Sequence, residues 1–83
     1  MNLQQAEEKI REEIFFIAEV TTKRIYLDFG AKIMGDSIIL KNVQGHSYQV
    51  LSWRQLNLAE KGELSNEEVN EVIAELNEKE LRK

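Results

Sequence analysis

The chain has 83 residues, a formal net charge of −4 and no cysteine. A chain of this length holds one hydrophobic core, and the lack of cysteine excludes disulfides and zinc-thiolate sites, which fits a reducing compartment. With no apolar run long enough for a membrane span and no cluster of Lys and Arg for phosphates, we expect one cytoplasmic domain over residues 1–83 that binds neither membrane nor nucleic acid directly.

The N-terminal segment is predicted to form an amphipathic helix over about residues 2–19, with Asn2 as a cap. Its apolar stripe consists of Leu3, Ala6, Ile10, Ile14 and Ile17. The residues that follow, 20–22, are β-branched and favour a strand, so the alternative is an added strand from Ile14 to Thr22. We prefer the helix because no Gly, Asn or Asp lies between residues 20 and 25 to form a tight hairpin turn.

The central part of the chain is predicted to form a three-stranded antiparallel meander, with strands over about residues 24–34, 37–43 and 47–53. Apolar and polar side chains alternate with period two from residue 24 to residue 33, which is typical of a strand with one buried face. A two-residue turn at Gly35-Asp36 would pair Ile33 with Ile38. A three-residue loop over residues 44–46 would pair Val43 with Ser47.

This register predicts two unequal faces of the sheet. The core face contains Ile25, Leu27, Phe29, Ala31, Ile33, Ile38, Leu40, Val50 and part of Tyr48. The opposite face has a cluster that we call the strand-end patch: Met34, Ile39, Leu51 and Trp53. An exposed apolar patch of this kind indicates a protein-binding site, whereas a link or helix folded over it would make it part of the core.

After an irregular link over residues 54–64, with a helical turn ending near Gly62, a second long helix is predicted over residues 66–82. Its start is indicated by a capping box between Ser65 and Glu68 and by a hydrophobic staple between Leu64 and Val69. Its buried stripe contains Val69, Val72, Ile73 and Leu76. The fold class is therefore α+β, a two-layer αβββα arrangement with both helices on the core face; the alternative has one helix on each face.

All of the net negative charge lies after residue 59, much of it on the outward side of the C-terminal helix. That acidic band contains Glu67, Glu68, Glu71, Glu75 and Glu78. A solvated helix face explains it adequately. The alternative is an acidic inhibitor or nucleic-acid mimic, which would bind the basic groove of a nucleic-acid-handling protein.

Residues that carry catalysis or bind cofactors are not grouped in this sequence. His46 is the single histidine and lies in a predicted turn, the serines form no nucleophile elbow, and the isolated glycines form no phosphate loop. We therefore expect no catalytic residue, cofactor, metal or small-molecule substrate. The predicted function is that of a non-enzymatic interaction module, which binds a protein partner or itself, as a homodimer, through the strand-end patch.

Overall fold

The computed structural model describes residues 1–28 and 32–81, and gives the backbone alone for residues 26–28 and 32–34. Its elements are α1 (Leu3–Glu13), β1 (Ala18–Asp28), β2 (Lys32–Asn42), β3 (Ser47–Gln49), α2 (Trp53–Glu60) and α3 (Asn66–Leu81). The strands form one antiparallel sheet in the order β1-β2-β3. The predicted α+β meander with helices at both ends is therefore confirmed. Among the described helices, none has the length and apolar character that crossing a membrane requires.

Helix α1 begins as predicted and ends well before residue 19. The Asn2 side chain accepts a hydrogen bond from the Gln5 N–H at 2.9 Å, and the Gln5 side chain accepts one from the Asn2 N–H at 2.8 Å. The backbone becomes extended at Ile14, and β1 begins at Ala18. The β-branched residues 20–22 thus belong to a strand, and no turn follows them because that strand continues directly to Asp28.

The predicted turn at Gly35-Asp36 is wrong, since both residues lie inside β2 and pair with β1. Gly35 is opposite Ile25, and the same register places Val20 opposite Leu40. This register differs from the predicted one by an odd number of positions, which exchanges the two faces of β1. Ile25 is accordingly half-buried, on the face away from Leu40. The predicted core side chains of residues 27, 29, 31 and 33 lie outside the described part.

The connection from β2 to β3 is a three-residue loop, as predicted, but it lies one residue earlier, over residues 43–45. The Asn42 N–H donates to the His46 carbonyl at 3.0 Å, and Lys41 rather than Val43 is opposite Ser47. The observed pairing of β2 with β3 differs from the predicted pairing by two positions. An even shift leaves each side chain on its predicted face of the sheet, and Leu40 and Tyr48 lie on the same face. Strand β3 is also shorter than predicted and ends at residue 49.

The predicted irregular link contains a complete helix, α2. The Ser52 hydroxyl accepts from the Gln55 N–H at 3.3 Å and the Gln55 side chain accepts from the Ser52 N–H at 2.9 Å, which forms a capping box. The helix ends with Gly62 at φ 74°, where the Glu63 N–H donates to the Leu58 carbonyl at 2.8 Å. This left-handed glycine and its hydrogen bonds form a Schellman motif, so the predicted helical end near Gly62 is correct.

One core joins the three helices to one face of the sheet. The Ser65 hydroxyl accepts from the Glu68 N–H at 3.1 Å, and α3 starts at the predicted residue. The buried apolar side chains are Ala6, Ile10, Val20, Ile38, Leu40, Leu51, Leu56, Ala59, Leu64, Val69, Val72, Ile73 and Leu76. In β1 and β2 these apolar residues are at even-numbered positions, so the helices pack on the even-numbered face; the odd-numbered Ser37 of β2 is buried as well.

Candidate protein-binding groove

The strand-end patch is not assembled as predicted. Leu51 is 2% exposed and belongs to the core, while Trp53 is the first residue of α2 and is 36% exposed. Ile39 is half-buried in β2, and the side chain of Met34 lies outside the described part. The reason is that β3 stops at residue 49, so the strand alternation that would have grouped Leu51 with Trp53 does not extend to them.

The acidic band lies on α3 with most of its members in solvent. Glu67, Glu71, Glu75 and Glu78 are exposed. Glu68 is partly buried, and its carboxylate accepts from the Arg54 guanidinium on α2 at 2.7 Å. Glu68 therefore connects two helices, while the other four carboxylates form the outward charge of α3.

A different surface combines exposed apolar side chains with concave shape. An open groove with a volume of 780 Å³ lies between the end of α1 and one side of α3, and we call it the α1–α3 groove. Its lining residues are Glu12, Glu13, Phe15, Asn70, Ile73, Ala74, Asn77, Glu78 and Leu81. Phe15 is 81% exposed and Leu81 is 77% exposed, so two large apolar side chains in the groove are hydrated in this chain.

Asn77 fixes the position of Phe15 beside α3. Its side chain is almost fully buried, accepts a hydrogen bond from the Phe15 N–H at 2.8 Å and donates one to the Glu13 carbonyl at 3.3 Å. Both backbone groups lie where α1 ends, and such groups need partners when they are withdrawn from water. Ile14 and Phe16 pack against the core, which leaves the Phe15 ring directed outward.

The side of α3 that contributes to the groove is continuous along the helix. Asn70, Ala74, Asn77 and Leu81 recur at intervals of three and four residues, so they lie along one side of the helix. The span from Asn70 to Leu81 corresponds to about 16 Å at 1.5 Å per residue. The groove is therefore long enough for about three turns of another helix.

The rim of the groove carries acidic side chains. Glu12, Glu13 and Glu78 line it, and none of the described lining residues is basic. Lys9 lies within 3.3 Å of the Glu13 carboxylate, one turn back along α1, and neutralises part of that charge. A ligand that combines apolar and cationic groups would match the apolar walls and this rim together.

The α1–α3 groove was not predicted from the sequence. Phe15 gave an indication of an exposed apolar site, because it is large and apolar but lies outside the apolar stripe of the predicted N-terminal helix. The groove also depends on the contact between Asn77 and Phe15, which are 62 positions apart. No local pattern predicts such a contact.

Potential metal ligands and shifted pKa values are two further properties of the described residues. No three His, Cys, Asp or Glu side chains among them come together as metal ligands. His46 is exposed, between the loop over residues 43–45 and the start of β3. Burial raises the pKa of Tyr48 above its usual value of 10.0, and the nearby Glu80 carboxylate raises it further. Tyr48 does not line the α1–α3 groove.

Comparisons of the chain with protein-family models, with curated proteins and with solved structures found no match.

Proposed function

We propose that this chain is a small non-enzymatic binding module whose α1–α3 groove binds an amphipathic helix of a partner protein, with basic residues beside the apolar face of that helix. The observation that carries the proposal is the exposure of Phe15 and Leu81 in an apolar groove with an acidic rim. The lack of cysteine supports a reducing compartment, and we place the module in the cytoplasm.

The openness of the groove favours a macromolecular ligand. Pockets for small molecules bury most of the surface of their ligand, whereas the two largest apolar side chains here are mainly in solvent. A helix lies well in such a groove, because anchors spaced by three and four residues can reach along its length. Covering the Phe15 ring would contribute about 2 kcal/mol to binding.

The charge of the rim selects the partner. A second copy of this groove would bring its own Glu12, Glu13 and Glu78 against the same three carboxylates, and such like charges repel. Lys or Arg residues on a partner helix would instead meet opposite charge. The acidic band along α3 extends this negative field and would steer a basic partner towards the groove.

A synthetic helical peptide tests the proposal directly. The probe has leucines on one face and lysines on the other, over about four turns, and its binding is measured by fluorescence anisotropy and by amide chemical-shift changes in the labelled protein. We expect shifts at Phe15, Ala74 and Leu81. Replacing Phe15 with Ser should weaken binding about 30-fold without unfolding the protein, because the side chain is already exposed.

Two controls separate groove binding from general attraction of charges. A peptide with glutamates in place of the lysines should not bind, and Val43→Ser, at an exposed apolar residue outside the groove, should bind the lysine peptide normally. Equal binding of the lysine peptide by the wild type and by a Phe15→Ser/Leu81→Ser variant would contradict the proposal.

The second candidate function is the acidic inhibitor or nucleic-acid mimic, favoured by the exposure of Glu67, Glu71, Glu75 and Glu78 on α3. Glu71 and Glu75 do not line the groove, so they discriminate between the two functions. Reversing both to Lys should abolish binding to a basic groove if the band itself is the binding surface. If the α1–α3 groove is that surface, reversing Glu12 and Glu13, which line the groove and are not part of the acidic band, should have the larger effect.

A further inference from the structure

The sheet ends in two exposed apolar residues beyond its last strand pair, Ala18 with Asn42. Ile17, which precedes Ala18, is 82% exposed, and Val43, which follows Asn42, is 75% exposed. A hollow of 200 Å³ lies at this end, lined by residues 17–19 and 41–43. Two large aliphatic side chains thus flank a small concavity in solvent.

The charges beside this hollow are balanced. Glu19 lies opposite Lys41 in the strand pairing, and both are exposed. The next pair on the same face is Thr21 with Ile39, and both are half-buried. The surface made by the strand residues 19, 21, 39 and 41, together with Ile17 and Val43 at the adjoining hollow, is here called the outer sheet face. Unlike the α1–α3 groove, it presents one acid and one base side by side.

We propose that the outer sheet face binds a second copy of this chain and so forms a symmetric dimer by face-to-face packing of two sheets. A two-fold axis parallel to the strands, midway between β1 and β2, exchanges the positions of the two strands. It therefore places Glu19 opposite Lys41 of the partner subunit, with Ile17 and Val43 of both copies beside these charges at the end of the sheets.

The charge arrangement is the argument for a second copy. A surface with one acid and one base at positions exchanged by a two-fold axis complements itself, whereas a uniformly charged partner would be attracted by one residue and repelled by the other. The hollow between Ile17 and Val43 also gives the partner's aliphatic side chains a place to pack. The surface is small, so we expect a dissociation constant of about 10 to 1000 μM.

Charge exchange tests this arrangement by sedimentation equilibrium over protein concentrations of about 1 μM to 1 mM. The wild type should change from monomer to dimer across this range. Glu19→Lys and Lys41→Glu should each weaken association about tenfold or more, because each places like charges opposite one another in the dimer. The double variant Glu19→Lys/Lys41→Glu should recover dimerisation, since the charges are again complementary.

Two further variants make the result unambiguous. Ile17→Asp should abolish the dimer, with circular dichroism showing that the fold is kept, because the side chain is exposed in the monomer. Leu81→Ser, in the α1–α3 groove, should leave the dimer intact, so failure of the proposed function and failure of this inference are distinguishable. A wild type that stays monomeric at about 1 mM, or a folded double variant no more dimeric than the single ones, would overturn the proposal.

Discussion

The Asn77 side chain holds the backbone of Phe15, with the Phe15 N–H donating to Asn77 Oδ1 at 2.8 Å and Asn77 Nδ2 donating to the Glu13 carbonyl at 3.3 Å. One buried amide thus satisfies two backbone groups where α1 ends. The same contact presents the Phe15 ring to the α1–α3 groove. Stability and the proposed binding site are therefore coupled through a single residue of α3.

Replacing Asn77 with Ala should lower the free energy of unfolding by about 2 kcal/mol, because two backbone groups lose their partner in a buried place. It should also weaken binding of the lysine peptide, since Phe15 is no longer held beside α3. Urea denaturation and anisotropy measure the two effects. Asn70→Ala is the matched control, as Asn70 also lines the groove but is exposed. Equal stability of the two variants would show that the Asn77 hydrogen bonds contribute nothing.

Ser37 is also buried, but unlike Asn77 its side chain is unsatisfied: the hydroxyl has no hydrogen-bond partner among the described residues. Burying an unpaired polar group is unfavourable, so Ser37→Ala should raise the free energy of unfolding by about 1 kcal/mol. Ser47→Ala, at an exposed strand position, should leave it nearly unchanged. Thermal denaturation of both variants checks this, and a destabilised Ser37→Ala protein would contradict it.

Tyr48 should make the protein sensitive to alkaline pH. Burial disfavours its phenolate and the Glu80 carboxylate repels it, so the pKa in the folded state is above the usual 10.0. Folding therefore favours the protonated phenol, and this stabilisation is present below pH 10.0 and is lost as the pH rises through the folded-state pKa.

The variant Tyr48→Phe isolates this effect. It keeps the aromatic ring, over which the Lys79 ammonium lies at 5.0 Å from the centroid, but removes the ionisable group. The free energy of unfolding of the wild type should fall more steeply above pH 10.0 than that of the variant. Parallel pH profiles for the two proteins would show that Tyr48 is not the group responsible.

The parts of the fold that were predicted correctly depend on local chemistry. Helix α3 starts at Asn66 because the Ser65 hydroxyl satisfies the Glu68 N–H, a contact within four residues of sequence. The same kind of signal, Ser52 followed by Gln55, marks the start of α2, in a part of the chain predicted to be an irregular link. The outward position of four carboxylates on α3 likewise follows from helical periodicity.

Alternation of apolar and polar residues alone did not predict which face of β1 is buried in the core. The stretch that alternates most clearly begins at Ile25, yet among the side chains of β1 that the structure describes, the buried apolar one is Val20, which has the opposite parity. Val20 is selected because α1 packs over that end of the sheet, and the Arg11 side chain on α1 donates to the Val20 carbonyl at 2.8 Å. Which end of a long strand a helix covers is a tertiary property, so strand periodicity does not reveal it.

Gly35 gives the sharpest test of the strand register. In a turn of the type predicted from the sequence, this glycine would need positive φ, and any other residue would be strained. In the structure it lies in β2 opposite Ile25, it is not among the glycines with positive φ, and a Cβ added to it would meet no atom of the described residues within 4 Å.

Gly35→Thr should therefore raise the free energy of unfolding by up to about 1 kcal/mol, because a β-branched residue restricts the unfolded chain and suits a strand. Gly45→Thr is the matched control, since Gly45 has φ 89° in the loop before β3, and substitution there should lower the free energy of unfolding by about 1–2 kcal/mol. Urea denaturation of both variants compares them directly. If Gly35→Thr is destabilised as much as Gly45→Thr, the turn lies at Gly35-Asp36 and the register of β1 with β2 described here is wrong.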